Sequence, residues 1–230
     1  MKRLDFLSEY AVNNRHYNVD KEIESGLAHH DIDFRVNVIG SKFAKPHHID
    51  KALNDPSDYV RVSAIENPNA SKENLDRAIK DSHRYVREAV VRNPNVSKEH
   101  LDAALNDDED VVRAAAAFSK SASQEHILKG LRDDKEWVRE HAAKNPNISS
   151  ENLHVALGDK SEYVREAAAV SKNMTPEHIS KALDDPHWTV RFAAVTNRNA
   201  TNELLHKALL DKEETVRNVA RYNPNFRGKV

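Results

Sequence analysis

The chain lacks cysteine altogether, and its 230 residues include only five glycines. Without a thiol there can be no disulfide, no cysteine nucleophile and no cysteine-ligated metal, and a cytoplasmic location is the natural expectation. Aromatic residues make up only 6% of the sequence. A chain so poor in glycine and aromatic residues is not typical of a β-barrel.

Long apolar runs and an excess of one charge are also missing. No apolar stretch approaches the roughly 20 residues that cross a bilayer, and the N-terminal sequence MKRLDFLSEYAVNN has no apolar core of a secretory signal. We therefore expect no membrane partner. Basic residues number 35 and acidic residues 37, giving a net charge of −2. Such a balance gives no general attraction for nucleic acid or anionic lipid.

What the sequence does contain is an internal repeat of 26 residues. Each unit has an arginine that follows Val, or Phe34 in the first unit: Arg35, Arg61, Arg87, Arg113, Arg139, Arg165, Arg191 and Arg217. Six residues before the last seven of these stands an aspartate: Asp55, Asp81, Asp107, Asp133, Asp159, Asp185 and Asp211. A third marker is Asn-Pro-Asn or a related triplet, followed two residues later by Ser or Thr. Unbroken spacing of this kind predicts a repeat protein.

Each unit is predicted to form two short helices. The first, helix A, covers segments such as DYVRVSAIE and ends near Asn-Pro-Asn, because proline disfavours helical backbone before it and lacks an N–H donor. The second, helix B, begins at an N-cap such as Ser71 and buries a face that includes Leu75 and Ile79. Helices this short are not stable alone in water, so stacking must supply the core.

The Asp-x-x-x-x-Val-Arg-x-x-Ala pattern resembles HEAT repeats, and the brief unit with its proline-marked turn is similar to the leucine-rich repeat variant. The unit is shorter than a full HEAT repeat, and the cysteine cluster of one leucine-rich repeat variant protein is missing. We predict an all-α fold, a right-handed α-solenoid of about eight 26-residue two-helix repeats. It forms one domain over residues 1–230, with an N-terminal cap helix at 1–13, repeats at 14–226 and a tail at 227–230. The resemblance implies a binding scaffold.

The row of arginines could in principle follow phosphate groups, but helix geometry favours a scaffold role. At about 100° per residue, Arg61 lies inside the sector that Val60, Ala64 and Ile65 bury. A buried arginine needs a carboxylate partner, and the aspartates match the arginines almost unit for unit. The resemblance to HEAT repeats likewise implies an Asp–Arg ladder between layers.

The position directly before the repeated valine lies on the side of helix A opposite the buried sector, and it holds several aromatic residues. It is occupied by Tyr59, Tyr85, Val111, Trp137, Tyr163, Thr189 and Thr215, and Trp188, Phe192 and Tyr222 lie on the same face. Either these rings pack over their own helix and the neighbouring layer, or they form a contact line for a partner. The same face carries nine acidic and three basic residues, which would attract a basic or apolar protein segment.

The histidines and the remaining polar residues indicate no catalytic or metal site. His48, His100, His126 and His178 share the third position of helix B, where they could satisfy free N–H groups of the first turn. A cluster at His29, His30, Asp31, His47 and His48 has no recognised ligand spacing. We expect no cofactor, no metal and no enzymatic activity.

The resulting functional prediction is a non-enzymatic scaffold for a protein or peptide partner, bound by Tyr59, Tyr85, Trp137, Tyr163, Trp188, Phe192 and Tyr222. The alternative is a DNA- or RNA-binding protein, since some HEAT-like DNA glycosylases of similar length grip DNA through such repeats. Balanced charge and strict periodicity count against it. A role like that of the HEAT-like bilin lyases rests on fold analogy alone.

Overall fold

The computed structural model describes residues 18–228, which contain sixteen helices and no strand. The helices are α1 (Val19–Gly26), α2 (Ile32–Ile39), α3 (Pro46–Ala52), α4 (Asp58–Glu66), α5 (Lys72–Ala78), α6 (Arg84–Arg92), α7 (Lys98–Ala104), α8 (Asp110–Phe118), α9 (Gln124–Leu131), α10 (Glu136–Ala143), α11 (Ser150–Ala156), α12 (Glu162–Ala169), α13 (Pro176–Leu183), α14 (Trp188–Thr196), α15 (Asn202–Ala208) and α16 (Glu214–Tyr222). Even-numbered helices are the A helices and odd-numbered ones the B helices. The fold is an all-α solenoid of two-helix repeats, as predicted; the predicted cap helix at 1–13 lies outside the described residues.

The chain divides into two compact units, Met1–Val112 and Arg113–Val230. The first unit contains α1 to α7 and the second α9 to α16, and each is described by itself below. One domain over residues 1–230 stays a prediction.

Four B helices, α5, α7, α9 and α13, begin at capping boxes. The Ser71 hydroxyl accepts the amide of Asn74 at 3.3 Å, and the Asn74 side chain in turn accepts the amide of Ser71 at 2.9 Å. Where histidine replaces asparagine, its Nδ1 takes over the same bond, as in Ser97 N–H to His100 Nδ1 at 3.0 Å. Two amides that the helix leaves unbonded are thereby satisfied. The predicted capping role of the third helix-B position is confirmed for Asn74 and the four histidines, whereas the side-chain amide of Asn152 donates to the Gln124 carbonyl instead.

The A helices are bounded by an aspartate and an Asn-Pro turn. The Asp55 carboxylate accepts the amide of Ser57 at 2.9 Å, just before α4 begins. At the other end of α4, Asn67 is extended, with φ −66° and ψ 125°, because the following proline disfavours helical backbone. The same sequence signal ends α6 and α16 at Asn93 and Asn223, as predicted.

The core of each layer is aliphatic and small. In α4, Val60, Ala64 and Ile65 are fully buried, and they face Leu75 and Ala78 of α5. The equivalents of Ile65 in the next five layers are also buried: Val91, Ala117, Ala143, Ala169 and Val195. Burying a side chain of Val, Leu or Ile size contributes about 1.5–3 kcal/mol, so stacking supplies what helices of seven to nine residues lack.

The repeated arginines join each layer to the next. Arg61 donates from Nε and Nη2 to the two carboxylate oxygens of Asp81, at 2.8 and 3.0 Å, and from Nη1 to the carbonyl of Asp55 at 2.9 Å. Seven such pairs have Nε–carboxylate distances of 2.6–2.8 Å: Arg35–Asp55, Arg61–Asp81, Arg87–Asp107, Arg113–Asp133, Arg139–Asp159, Arg165–Asp185 and Arg191–Asp211. The scaffold role predicted for the arginines is confirmed.

A second ladder, of asparagines, was not predicted. The side-chain amide of buried Asn67 donates to the carbonyls of Ile39 and Ser41 in the preceding layer, at 2.8 and 2.9 Å. Asn93, Asn145 and Asn197 repeat this pattern one or more layers on. The Asn-Pro-Asn triplet therefore does more than end a helix. Its first residue also satisfies the last carbonyl of the A helix in the preceding layer and a carbonyl in the turn that follows that helix.

Candidate partner-binding surface

The face predicted to bind a partner consists of the side chains at the registers of Asp58, Tyr59, Val62 and Glu66 in each A helix, and is called the A face below. Its large aromatic side chains are solvent-exposed, with 42–86% of their surface accessible: Tyr59, Tyr85, Trp137, Tyr163, Trp188 and Tyr222. Phe192 is half-buried. The helical wheel thus gives the direction of these residues correctly, while their role in binding stays a prediction.

In the first unit, the A face contains a groove between α2 and α4 with a volume of about 710 Å³. It is lined by His30, Asp31, Ile32, Asp33, Val36, Tyr59, Val62, Ser63 and Glu66. Tyr59 is the most exposed of its large apolar lining residues, at 71%. Ile32, Val36 and Val62 stand at registers where other layers have acids, which gives this layer pair an apolar floor.

Tyr85, one layer further in the first unit, is held by its neighbours in the chain. The Arg84 guanidinium lies 4.9 Å from the centre of the Tyr85 ring and donates to the Tyr85 hydroxyl at 3.2 Å. The His83 ring approaches the edge of the same tyrosine at 5.4 Å. Tyr85 therefore packs against its neighbours in the chain and still leaves 46% of its surface exposed.

In the second unit, Trp137 belongs to a small aromatic cluster. The ring of His141, one helical turn later on α10, lies 4.0 Å from that of Trp137, and His141 donates from Nδ1 to the Trp137 carbonyl at 2.9 Å. Phe118, at the end of α8, meets the edge of His141 at 6.1 Å. Trp137 and Phe118 both remain about half exposed, so the cluster presents apolar surface from two A helices.

Phe118 and His141 were not among the predicted site residues. Phe118 occupies the register of Glu66 and Tyr222, so counting in steps of 26 from Tyr222 could have found it. His141 stands at the register of Ser63. It lies one helical turn after Trp137, so helix geometry could have placed it beside that ring, whereas its contact with Phe118 of another layer could not be read from one helix.

A second aromatic pair of the second unit lies on α14. Trp188 and Phe192 are one turn apart, with ring centres at 6.3 Å and planes at 74°, an edge-to-face arrangement. Trp188 is 42% exposed. No acid stands at the four A-face registers of this helix, so α14 contributes the least charged part of the face.

Carboxylates without an ion pair accompany these rings in the second unit. Lys144, the one base at the A-face registers of α10 and α12, pairs with Glu140 on its own helix. Glu136, Glu162, Glu166 and Glu214 have no ion pair within 4.0 Å among residues 18–228. The A face of this unit is therefore aromatic and acidic, which opposes phosphate and favours cationic groups.

A group of possible metal ligands exists in the first unit, but its hydrogen bonds do not suit a metal. Asp20, His47 and His48 bring possible ligand atoms within 4.8 Å of one another, whereas His29, His30 and Asp31 are not part of this group. The Lys45 amide donates to His48 Nδ1 at 3.0 Å, so the neutral ring carries its proton on Nε2 and leaves no free lone pair there. Asp20 already pairs with Lys45 Nζ at 2.7 Å. In this tautomer His48 has no lone pair left for a metal, and the Asp20 carboxylate is already engaged by a lysine.

None of the helices between residues 18 and 228 combines the length and the apolar character needed to cross a membrane.

Comparison with known proteins places the fold. No protein-family model and no curated protein matches the chain. Among solved structures, a leucine-rich repeat variant described as having a novel repetitive structural motif superimposes with a TM-score of 0.65 at 24% identity, over 86% of this chain and 78% of that one. An engineered protein gives 0.40 at 14% identity, over 86% and 76% of the two chains. A designed armadillo repeat protein gives 0.27 at 17%, over 87% and 96%.

Proposed function

Since the chain is a helical repeat solenoid with the fold of the leucine-rich repeat variant, we propose that it is a non-enzymatic scaffold that binds a protein or peptide through its A face. The observation that carries this proposal is the set of exposed aromatic side chains beside carboxylates that have no ion pair. An exposed aromatic ring loses contact with water when a partner covers it, and interfaces are enriched in Trp and Tyr for this reason.

The second unit supplies the most specific support. Trp137 with His141 and Phe118, on α10 and α8, and Trp188 with Phe192, on α14, are preformed apolar anchors. Their rings are held in place by contacts with neighbouring rings, so little side-chain freedom would be lost on binding. Four nearby carboxylates would select a partner with basic residues around an apolar centre.

The first prediction concerns these two tryptophans. Immobilised Trp137→Ala and Trp188→Ala variants should retain at least about fivefold less of the partner captured from the native host, since a central aromatic contributes more than 1 kcal/mol when truncated. Quantitative mass spectrometry of the captured protein measures this loss. Helicity and the melting temperature should stay unchanged, because both side chains are about half exposed.

Val155→Ala is the matched control, because Val155 is 41% exposed but lies on α11, a B helix outside the A face. It should leave capture at the wild-type level. If both tryptophan variants capture the partner as well as the wild-type chain does, the A face of the second unit is not the contact surface.

A further inference from the structure

The groove of the first unit permits a more specific statement, which rests on the proposed scaffold function. We propose that the groove between α2 and α4 is the docking site for a short peptide segment in which an apolar side chain is flanked by lysine or arginine. The proposal joins three observations: the apolar floor, the acidic lining and the size of the groove.

The floor of the groove has few polar groups left to satisfy. Ile32, Val36 and Val62 contribute aliphatic surface, and the Tyr59 ring forms one wall. The Ser63 hydroxyl, the one hydroxyl on the floor, already donates to the Val36 carbonyl at 3.0 Å. An apolar side chain of a partner could therefore enter without leaving a floor hydroxyl unpaired.

The lining carries three carboxylates and neither lysine nor arginine. The amide of Phe34 donates to Asp31 and lowers the pKa of that carboxyl, which keeps it ionised at neutral pH. Asp33 has no ion pair within the described part of the chain, and Glu66 has one long contact, 3.4 Å from Arg92 Nη2. The groove is therefore a region of negative potential that a cationic partner would neutralise.

The size of the groove fits a segment rather than a folded surface. Its volume of about 710 Å³ lies in the range of sites that enclose one ligand-sized group. A single large apolar side chain with its neighbours in an extended peptide matches this volume. The acids stand beside the apolar floor, so basic residues on either side of the apolar anchor would reach them.

The test uses the full chain and fluorescence anisotropy with labelled peptides. The probe is Lys-Lys-Phe-Leu-Lys-Lys, and the comparison peptides are Glu-Glu-Phe-Leu-Glu-Glu and Lys-Lys-Ser-Ser-Lys-Lys. The chain should bind the probe at least about tenfold more tightly than either comparison peptide. Raising the ionic strength should weaken binding of the probe without abolishing it, because the apolar contact is not screened.

Two variants locate the binding in the groove. Tyr59→Ala should weaken the probe about tenfold by removing the wall, and the double variant Asp33→Asn with Glu66→Gln should weaken it similarly and reduce its salt dependence. Tyr163→Ala is the matched control, because it removes an exposed tyrosine at the same register in the second unit. That variant should bind the probe like the wild-type chain.

Each other outcome overturns the proposal. If the serine peptide binds as tightly as the probe, binding is general charge attraction. If the acidic peptide binds as tightly, binding is unspecific hydrophobic contact. If Tyr59→Ala binds the probe like the wild-type chain, the probe binds outside the groove. If the probe fails to bind while host capture still depends on Trp137 and Trp188, only the groove inference is lost. If the probe binds as expected but the Trp137→Ala and Trp188→Ala variants capture the host partner as well as the wild-type chain does, the proposed role of the second unit is lost instead.

Discussion

At the scale of single residues, the repeat buries a charged arginine and a charged aspartate between layers, where apolar side chains could also pack. The side chains of Arg139 and Asp159 are only 6% and 10% exposed, and the arginine donates two hydrogen bonds to the carboxylate. Burial alone would raise the pKa of the equivalent carboxyls of Asp81 and Asp211. The hydrogen bonds from their arginines and from backbone amides outweigh burial and lower these pKa values. The pairs of Asp81 and Asp211 are therefore ionised, and each joins one layer to the next.

We predict that Asp159→Asn destabilises the chain by about 3–5 kcal/mol, because it leaves the buried Arg139 guanidinium without a carboxylate. Urea unfolding followed by circular dichroism would measure the change. The control is Glu140→Gln, which breaks the more exposed pair with Lys144 and should cost at most about 1 kcal/mol. Similar losses in both variants would contradict the structural role assigned to the ladder.

At the scale of helices, stability depends on the ends as much as on the buried faces. B helices of seven or eight residues have a large fraction of their backbone groups in the first and last turns. The bonds that cap the first turn therefore matter, and four B helices make one of them with a buried histidine: His48, His100, His126 and His178. Because Nδ1 accepts a backbone amide, this arrangement requires the neutral ring.

These caps predict that the chain loses stability in mild acid. Burial lowers the pKa of His48 and His178, so the folded state resists protonation more than the unfolded chain does. The contribution of these histidines is fully present above the unfolded pKa of about 6.5 and declines as the pH falls towards their folded pKa values. Thermal unfolding measured between neutral and mildly acidic pH should show this decline.

Asparagine provides the control for the histidines, because Asn74 caps α5 with the same bond and does not titrate. The double variant His48→Asn with His178→Asn should keep the helices and flatten the pH dependence below about 6.5. An unchanged pH profile in this variant would assign the acid sensitivity to other groups.

At the scale of the whole molecule, charge opposes the nucleic-acid alternative. The chain has a net charge of −2, and the three bases at the A-face registers, Arg84, Arg92 and Lys144, all pair with glutamates. Seven of the eight periodic arginines are committed to aspartates between layers. A protein that grips DNA needs several free cations along one surface.

We therefore predict no strong binding to duplex DNA, even at low salt. A mobility-shift titration with a random-sequence duplex should show no complex at protein concentrations where nucleic-acid-binding proteins are saturated. A lysine-rich protein of similar size serves as the positive control. Tight binding that falls steeply with added salt would reverse the order of the two functional hypotheses.

The sequence by itself determined the repeat, the two-helix unit, the buried sector and the outward direction of Tyr59 and Trp137. These follow from period and helix geometry, which act locally and recur in every unit. Only the tertiary structure decided that Asn67 bonds the preceding layer, that Phe118 meets His141, and that Ile32, Val36 and Val62 line one groove. Those features depend on contacts between layers, such as Phe118 with His141, 23 positions apart, and Asn67 with Ile39, 28 positions apart. The pattern within a single helix carries no information about such neighbours.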